Sequence, residues 1–99
     1  MKIYLDDLRI VPDGWVGAET AQEAILLLQE NSVEEISLDH DLGDPVNGNG
    51  NDVLVWIEQA VVRDGYVPPI IKIHTGNPSA RVKMELGVEA INRLSRNNK

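Results

Sequence analysis

The chain has 99 residues, a length that allows one domain with a single hydrophobic core. Its formal net charge of −7 opposes a broad nucleic-acid surface, which needs many lysine and arginine contacts to phosphates. The absence of cysteine excludes disulfides and thiolate metal sites, and no apolar run is long enough to span a membrane. Because the N-terminus also lacks a signal-peptide pattern, we expect a single cytoplasmic domain over residues 1–99.

Seven elements alternate along the chain, and their apolar patterns separate strands from helices. In order, they are predicted as a strand over residues 2–5, a strand over 15–18, a helix over 21–30, a strand over 33–38, a helix over 53–64, a strand over 70–73 and a helix ending near 95. Thr20 and Glu23 fit a capping box, whereas Asp52 and Asn77 are expected to cap the later helices. Gly65 stands where the second helix should end.

Three segments are expected to behave differently from their neighbours. Residues 43–51 contain three glycines and a proline, which predicts a mobile surface loop without regular structure, or else a flap over a site. Residues 70–73 are apolar on both faces apart from Lys72, which predicts an interior or near-interior strand. Residues 96–99 are polar and expected to fray.

The alternation of strands and helices predicts an α/β fold with helices packed on the faces of a sheet. We expect a small, open, mainly parallel four-stranded sheet of strand order 2-1-3-4 with three helices, in a three-layer arrangement. Residues 7–14 are short for a crossover between parallel neighbours, so an antiparallel hairpin of the first two strands is the alternative. Parallel pairing is favoured.

Polar side chains follow three of the predicted strands, at the sheet edge where ligands of such folds bind. Asp6, Asp7 and Asp39 would offer oxygen ligands suited to Mg²⁺ or Mn²⁺, and Asp41 is a further candidate for the metal. The alternative is that Asp6 and Asp7 only cap a turn or pair with Arg9. The sequence therefore predicts a divalent metal site at this edge.

The two histidines of the chain, His40 and His74, follow strands at the same edge. Histidine is the usual general acid or base near neutral pH, so the pair is suited to act on a phosphorus centre. Either ring could instead bind a transition metal or occupy a satisfied structural position.

Thr75 and Asn77 open the last helix and form a candidate anion-binding corner, because backbone N–H groups point outward at a helix N-terminus. Arg9 is the best placed phosphate partner among the basic residues. Trp15 and Trp56 are expected to pack inside the fold and not to stack on bases.

The acidic pair after the first strand, Asp39 and Thr75 resemble the receiver domain of two-component response regulators. That resemblance implies a flavodoxin-like fold, Mg²⁺ bound by the acidic residues and a phosphate accepted by Asp39. The chain departs from it in lacking the first helix and the fifth strand with the lysine that follows, and in carrying His40 and His74.

A closer resemblance is to cyclic-phosphate-processing receiver domains. It is carried by Leu5-Asp6-Asp7-Leu8-Arg9, Gly14-Trp15, the segment Ser37 to Gly43, and His74-Thr75-Gly76-Asn77-Pro78. It implies a metal-dependent phosphodiesterase acting on 2′,3′-cyclic phosphate ends of RNA or nucleotides.

The roles that this second resemblance implies fall on the residues already singled out. Asp6, Asp7 and Asp39 would hold the metal, His40 and His74 would transfer protons, and Arg9 with the Thr75–Asn77 corner would hold phosphate oxygens. The alternatives are a truncated receiver phosphorylated at Asp39 and a non-catalytic binding module.

Overall fold

The computed structural model describes residues 1–97. Its elements are β1 (Lys2–Leu5), β2 (Val16–Ala18), α1 (Ala21–Glu30), β3 (Glu35–Leu38), a short 3₁₀ helix (Pro45–Asn47), α2 (Gly50–Asp64), β4 (Ile70–Ile73) and α3 (Pro78–Asn97). None of the helices within this part of the chain has the length and apolar character needed to cross a membrane.

The four strands form one parallel sheet of order β2-β1-β3-β4, as predicted. β1 pairs in parallel with β2 on one side and with β3 on the other, so the hairpin alternative is excluded. β4 pairs in parallel with β3 and lies at the edge. The α/β receiver-like fold predicted from the sequence is therefore confirmed.

One face of the sheet packs against the helices and forms the core. Ile3 and Leu5 of β1 and Ile36 and Leu38 of β3 are completely buried there. The three helices form one layer, in which α2 contacts both α1 and α3. The expectation of helices on both faces is wrong in this detail.

The opposite face is covered in part by the β1–β2 connection, residues 6–15. A Cβ atom added to Gly17 would lie 2.7 Å from Val11 Cγ2, and the Trp15 ring meets the Tyr4 ring edge-on at 6.0 Å. The ammonium of Lys2 lies 5.6 Å from the centre of the Trp15 ring. This connection, and not a helix, forms the third layer.

Crossover handedness explains this arrangement. Crossovers between parallel strands are almost always right-handed, so two crossovers that run in opposite directions along a sheet lie on opposite faces. The chain moves one way from β1 to β2 and then back through β3 to β4. The helical crossovers therefore share a face, and the helix-free β1–β2 crossover takes the other.

Several predicted element ends are confirmed by their caps. Thr20 Oγ1 accepts a hydrogen bond from the Glu23 N–H, and Asn77 Oδ1 accepts one from the Ala80 N–H. Gly65 ends α2 in the left-handed conformation with φ of 66°. These positions depend on local chemistry, which the sequence displays directly.

The start of α2 differs from the prediction. The helix begins at Gly50 and is capped by Asn49, whose Oδ1 accepts from the Asp52 N–H at 3.1 Å. Asp52 Oδ2 in turn accepts from the Asn49 N–H at 2.9 Å. Asp52 is therefore the third residue of a capping box and not the cap itself.

The segment 43–51 is more ordered than the prediction of a structureless loop. It contains the 3₁₀ helix Pro45–Asn47, capped by Asp44, and the first residues of α2. Just before it, Asp41 forms an antiparallel bridge with Asn49, and Leu42 is buried. The bridge and the buried leucine fasten this segment to the rest of the fold.

Two further predictions concern the C-terminal third. β4 is an edge strand and not an interior one, and Ile70, on the face that the helices leave free, is 62% exposed. α3 extends to Asn97, so Arg96 and Asn97 are helical and not frayed. Residues 98 and 99 of the predicted frayed tail lie outside the described residues.

Candidate functional site

Three strand ends meet at the carboxyl edge of the sheet. The Asp39 N–H donates to the Leu5 carbonyl at 3.0 Å, and the His74 N–H donates to the Leu38 carbonyl at 2.9 Å. These bonds continue the ladders by one step and bring the residues after β1, β3 and β4 side by side. Beside them lies a cleft of about 360 Å³, lined by Asp6, Leu8, Arg9, Asp39, Asp41, Thr75, Gly76 and Asn77.

Asp6 is buried and its carboxylate is held on both oxygens. Oδ1 accepts from the backbone N–H groups of Leu8 and Arg9 at 2.8 and 2.9 Å, which forms the turn that ends β1. Oδ2 lies 3.0 Å from His74 Nε2 and 3.7 Å from Arg9 Nε. Burial acts to raise the pKa of Asp6, but the two backbone hydrogen bonds and His74 outweigh it and leave that pKa below its ordinary value.

The ring of His74 is fixed by contacts on both ring nitrogens and on one face. Its Nδ1 lies 2.7 Å from Ser37 Oγ, and its Nε2 faces Asp6. The Tyr4 ring stacks on it with a centroid distance of 4.3 Å and an interplanar angle of 3°. The Arg9 Nη1 donates to the His74 carbonyl at 2.7 Å. The imidazole therefore has little rotational freedom.

Asp39 completes a group of three potential metal ligands. One donor atom from each of Asp6, Asp39 and His74 lies within 4.8 Å of the others. Asp39 Oδ1 accepts from the His40 N–H at 2.8 Å, which orients the carboxylate. Within residues 1–97, the structure thus brings together two acidic residues predicted as ligands and one histidine predicted as catalytic.

The other predicted ligands, Asp7 and Asp41, do not belong to that group. The Asp7 carboxylate lies near Gly43, where an added Cβ would be 3.1 Å from Oδ2. Asp41 lines the cleft, and its Oδ1 lies 2.9 Å from His40 Nδ1. The His40 side chain contacts Asp41 and is not part of the cleft lining.

The predicted phosphate partners all line the cleft. The Arg9 side chain lines the cleft and is half exposed. Thr75 is buried, and its Oγ1 accepts from the Asn77 N–H at 3.1 Å. Asn77 uses its Oδ1 as the cap of α3, as its position at the helix start predicts.

Comparison with known proteins identifies the family of this chain. Residues 1–90 match the family model described as cyclic-phosphate processing receiver domain. The chain belongs to this family. No match was found among curated proteins or among solved structures.

Two residues of this receiver domain contact the site without having been assigned to it from the sequence. Ser37 and Tyr4 are neighbours in the register of β1 and β3, and both contact the His74 ring. The signal that could have found them is the two-residue alternation of strands, which places them on the face opposite the core. If the alternation continues past the ends of the strands, Asp6, Asp39 and His74 lie on that same face.

Proposed function

We propose that this receiver domain is a metal-dependent phosphodiesterase that hydrolyses cyclic phosphates, such as 2′,3′-cyclic phosphate ends of RNA or nucleotides. The observation that carries the proposal is the convergence of Asp6, Asp39 and His74, whose donor atoms lie within 4.8 Å of one another. Family membership supports the substrate class. The adjacent cleft, at about 360 Å³, has the size of a small-ligand site.

The residues present fit a divalent metal ion. Asp6 and Asp39 offer oxygen atoms and His74 offers a nitrogen, and carboxylates this close repel one another unless a cation neutralises them. Mg²⁺ and Mn²⁺ are the ions suited to the carboxylates. A bound ion would supply positive charge against the phosphate oxygens and stabilise the charge that builds up during hydrolysis.

The surrounding residues can orient the phosphate. Arg9 offers guanidinium N–H groups, and the Thr75–Asn77 corner lies at the N-terminus of α3, where the helix dipole favours an anion. The positive charge of the Arg9 side chain and the partial positive charge of the α3 N-terminus would hold the non-bridging phosphate oxygens in a defined orientation. Ordered binding of this kind lowers the barrier by removing the search for a reactive geometry.

We assign proton transfer to the pair formed by His40 and Asp41, of which Asp41 lines the cleft. His40 Nδ1 lies 2.9 Å from Asp41 Oδ1, which orients the ring and leaves Nε2 as the second ring nitrogen. The pair would take a proton from the attacking water and return one to the ribose oxygen as its bond to phosphorus breaks. In this proposal His74 is a metal ligand and His40 takes part in proton transfer.

The test is hydrolysis of 2′,3′-cyclic AMP and of a cyclic-ended oligoribonucleotide by protein stripped with EDTA and resupplied with Mg²⁺ or Mn²⁺. We expect the metal to restore formation of the phosphomonoester, and we expect Asp39→Asn to reduce it at least about 100-fold. Glu58→Gln is the matched control, because Glu58 is an exposed carboxylate in the middle of α2 and does not line the cleft. It should retain full activity.

Absence of turnover with either ion would contradict the enzymatic proposal. Incubation with acetyl phosphate followed by intact-mass measurement then separates the two other candidates. A phosphoryl adduct that disappears in Asp39→Asn identifies a receiver phosphorylated at Asp39. Absence of both turnover and adduct favours a non-catalytic binding module.

A further inference from the structure

Ser37, a polar residue within β3, has a hydrogen-bond partner that indicates its role. Ser37 lies between the buried core residues Ile36 and Leu38 and is itself only 7% exposed. A buried hydroxyl destabilises a strand unless it is hydrogen-bonded. Its partner is His74 Nδ1, at 2.7 Å. The hydroxyl therefore acts on the same ring whose other nitrogen faces the metal-ligand group.

We propose that Ser37 is a positioning residue that makes His74 a metal ligand through Nε2, and that the resulting site takes Mn²⁺ or Zn²⁺ in preference to Mg²⁺. This inference rests on the proposed function, since it specifies the ion and the support of the same site. It differs from the proposed function because it depends on Ser37 and on the His74 imidazole as a ligand.

Each of the three candidate ligands is held by at least one hydrogen bond from outside the group. Asp6 is held at Oδ1 by two backbone N–H groups, and Asp39 is held at Oδ1 by the His40 N–H. His74 is held at Nδ1 by Ser37. Ligands supported by such outer contacts are oriented before the ion arrives.

The distance between two of the donor atoms suits a shared ion. His74 Nε2 and Asp6 Oδ2 are 3.0 Å apart. Two donors at right angles around an ion, each bonded at about 2.1 Å, lie about 3.0 Å from one another. The present separation is therefore the one that an octahedral ion such as Mn²⁺ would require, whereas a tetrahedral Zn²⁺ would require about 3.4 Å.

Serine is suited to support the ring before and after the ion binds. In the tautomer that carries its proton on Nε2, the ring would donate to Asp6 and its Nδ1 would accept from the Ser37 hydroxyl. An ion on Nε2 would leave the ring proton on Nδ1, and the hydroxyl would accept a hydrogen bond from it. A hydroxyl can do both, whereas alanine can do neither.

The nitrogen donor determines the class of ion. Mg²⁺ binds mainly oxygen ligands and water, whereas imidazole suits Zn²⁺ and other transition metals. Asp6 and Asp39 keep the site compatible with Mn²⁺, which takes carboxylates as well. The ligand set therefore favours Mn²⁺ and Zn²⁺ over Mg²⁺.

The experiment measures binding of Mn²⁺, Zn²⁺ and Mg²⁺ separately by calorimetry to EDTA-stripped protein. We expect wild type to bind Mn²⁺ and Zn²⁺ at least about tenfold more tightly than Mg²⁺. Ser37→Ala should weaken Mn²⁺ and Zn²⁺ binding about 10- to 100-fold, and Ser37→Thr, which keeps the hydroxyl, should restore much of it. Ser32→Ala, at an exposed serine on the opposite end of the sheet, is the control.

Nitrogen-15 NMR of the imidazoles in wild type gives a second readout that needs no variant to fold. Zn²⁺ should shift the Nε2 resonance of His74, with the resonances of His40 as the internal reference. Unchanged His74 resonances in Zn²⁺-bound protein, equal affinity for the three ions, or a folded Ser37→Ala that binds as wild type does would each overturn the inference. These results would remain compatible with a metal site formed by Asp6 and Asp39. If none of the three ions binds, the metal dependence in the proposed function is contradicted as well.

Discussion

Gly50, the first residue of α2, is where we expect a single added methyl group to do most damage. A Cβ atom at this position would lie 2.0 Å from the Asp39 carbonyl oxygen and 2.8 Å from Met84 Cε. The methionine end can move, but the carbonyl belongs to the backbone that follows β3. Gly50→Ala therefore forces the start of α2 away from the segment that carries a candidate metal ligand.

The size of the effect follows from that distance. Carbon and oxygen atoms in close contact lie about 3.3 Å apart, so the two backbones must separate by about 1.3 Å. Overpacking of this kind costs roughly 3 kcal/mol at the upper end of its usual range, and the better helix propensity of alanine, which acts fully only inside a helix, offsets at most about 1 kcal/mol. The net loss of about 2 kcal/mol corresponds to a Tm about 8–16 °C lower for a domain of this size.

Gly87→Ala provides the matched control for this change. Gly87 lies inside α3, and a Cβ atom there would meet only Leu54 Cδ1, at an ordinary contact distance of 3.5 Å. The same substitution should raise stability by about 0.5–1 kcal/mol through helix propensity alone. Thermal melts of metal-free wild type and both variants by circular dichroism give the comparison.

The reasoning is refuted if Gly50→Ala melts within about 2 °C of wild type or above it. That result would mean that the helix start can separate from the Asp39 carbonyl at little cost. A drop shared by Gly87→Ala would instead show that added methyl groups destabilise both helices for a reason other than close backbone contact. Opposite shifts of the two melting temperatures are the expected outcome.

Two further predictions concern stability. Asn49→Ala should lower the free energy of unfolding measured with urea by about 1 kcal/mol, because it removes the capping box of α2. Asn51→Ala, at the second residue of the helix, should lower it by less than about 0.5 kcal/mol, and equal losses would contradict the capping role. Burial raises the pKa of Tyr66, so its contribution to stability is present below the ordinary value of about 10 and is lost as pH rises through the raised pKa. Tyr66→Phe should unfold less readily than wild type above pH 10, and an unchanged alkaline transition would exclude this cause.

The parts of the fold that were predicted correctly depend on short-range chemistry. Thr20, Gly65 and Asn77 mark helix ends because their side chains or conformations act within a few residues. The start of α2 was misplaced because Asn49 and Asp52 are both good caps three residues apart. The choice between them depends on how Gly50 fits against Asp39, which is a tertiary contact.

The strand order predicted which strand ends meet, but not which side chains turn toward one another. Asp6 and Asp7 are chemically identical neighbours, yet only Asp6 joins the ligand group. The reason is the alternation of strand residues between faces, which separates adjacent positions. The same rule separates Asp39, which joins the group, from His40, whose side chain contacts Asp41 instead.

The direction of the crossovers connects the location of the site to the residues that serve it. Because the chain reverses its direction along the sheet at β2, the β1–β2 connection must cross the face that the helices leave free. That connection carries Arg9 to the His74 carbonyl, and it brings Trp15 against Tyr4, which stacks on the His74 ring. The same reversal that opens a cleft at the strand ends therefore also places the Arg9 guanidinium and the aromatic rings beside that cleft.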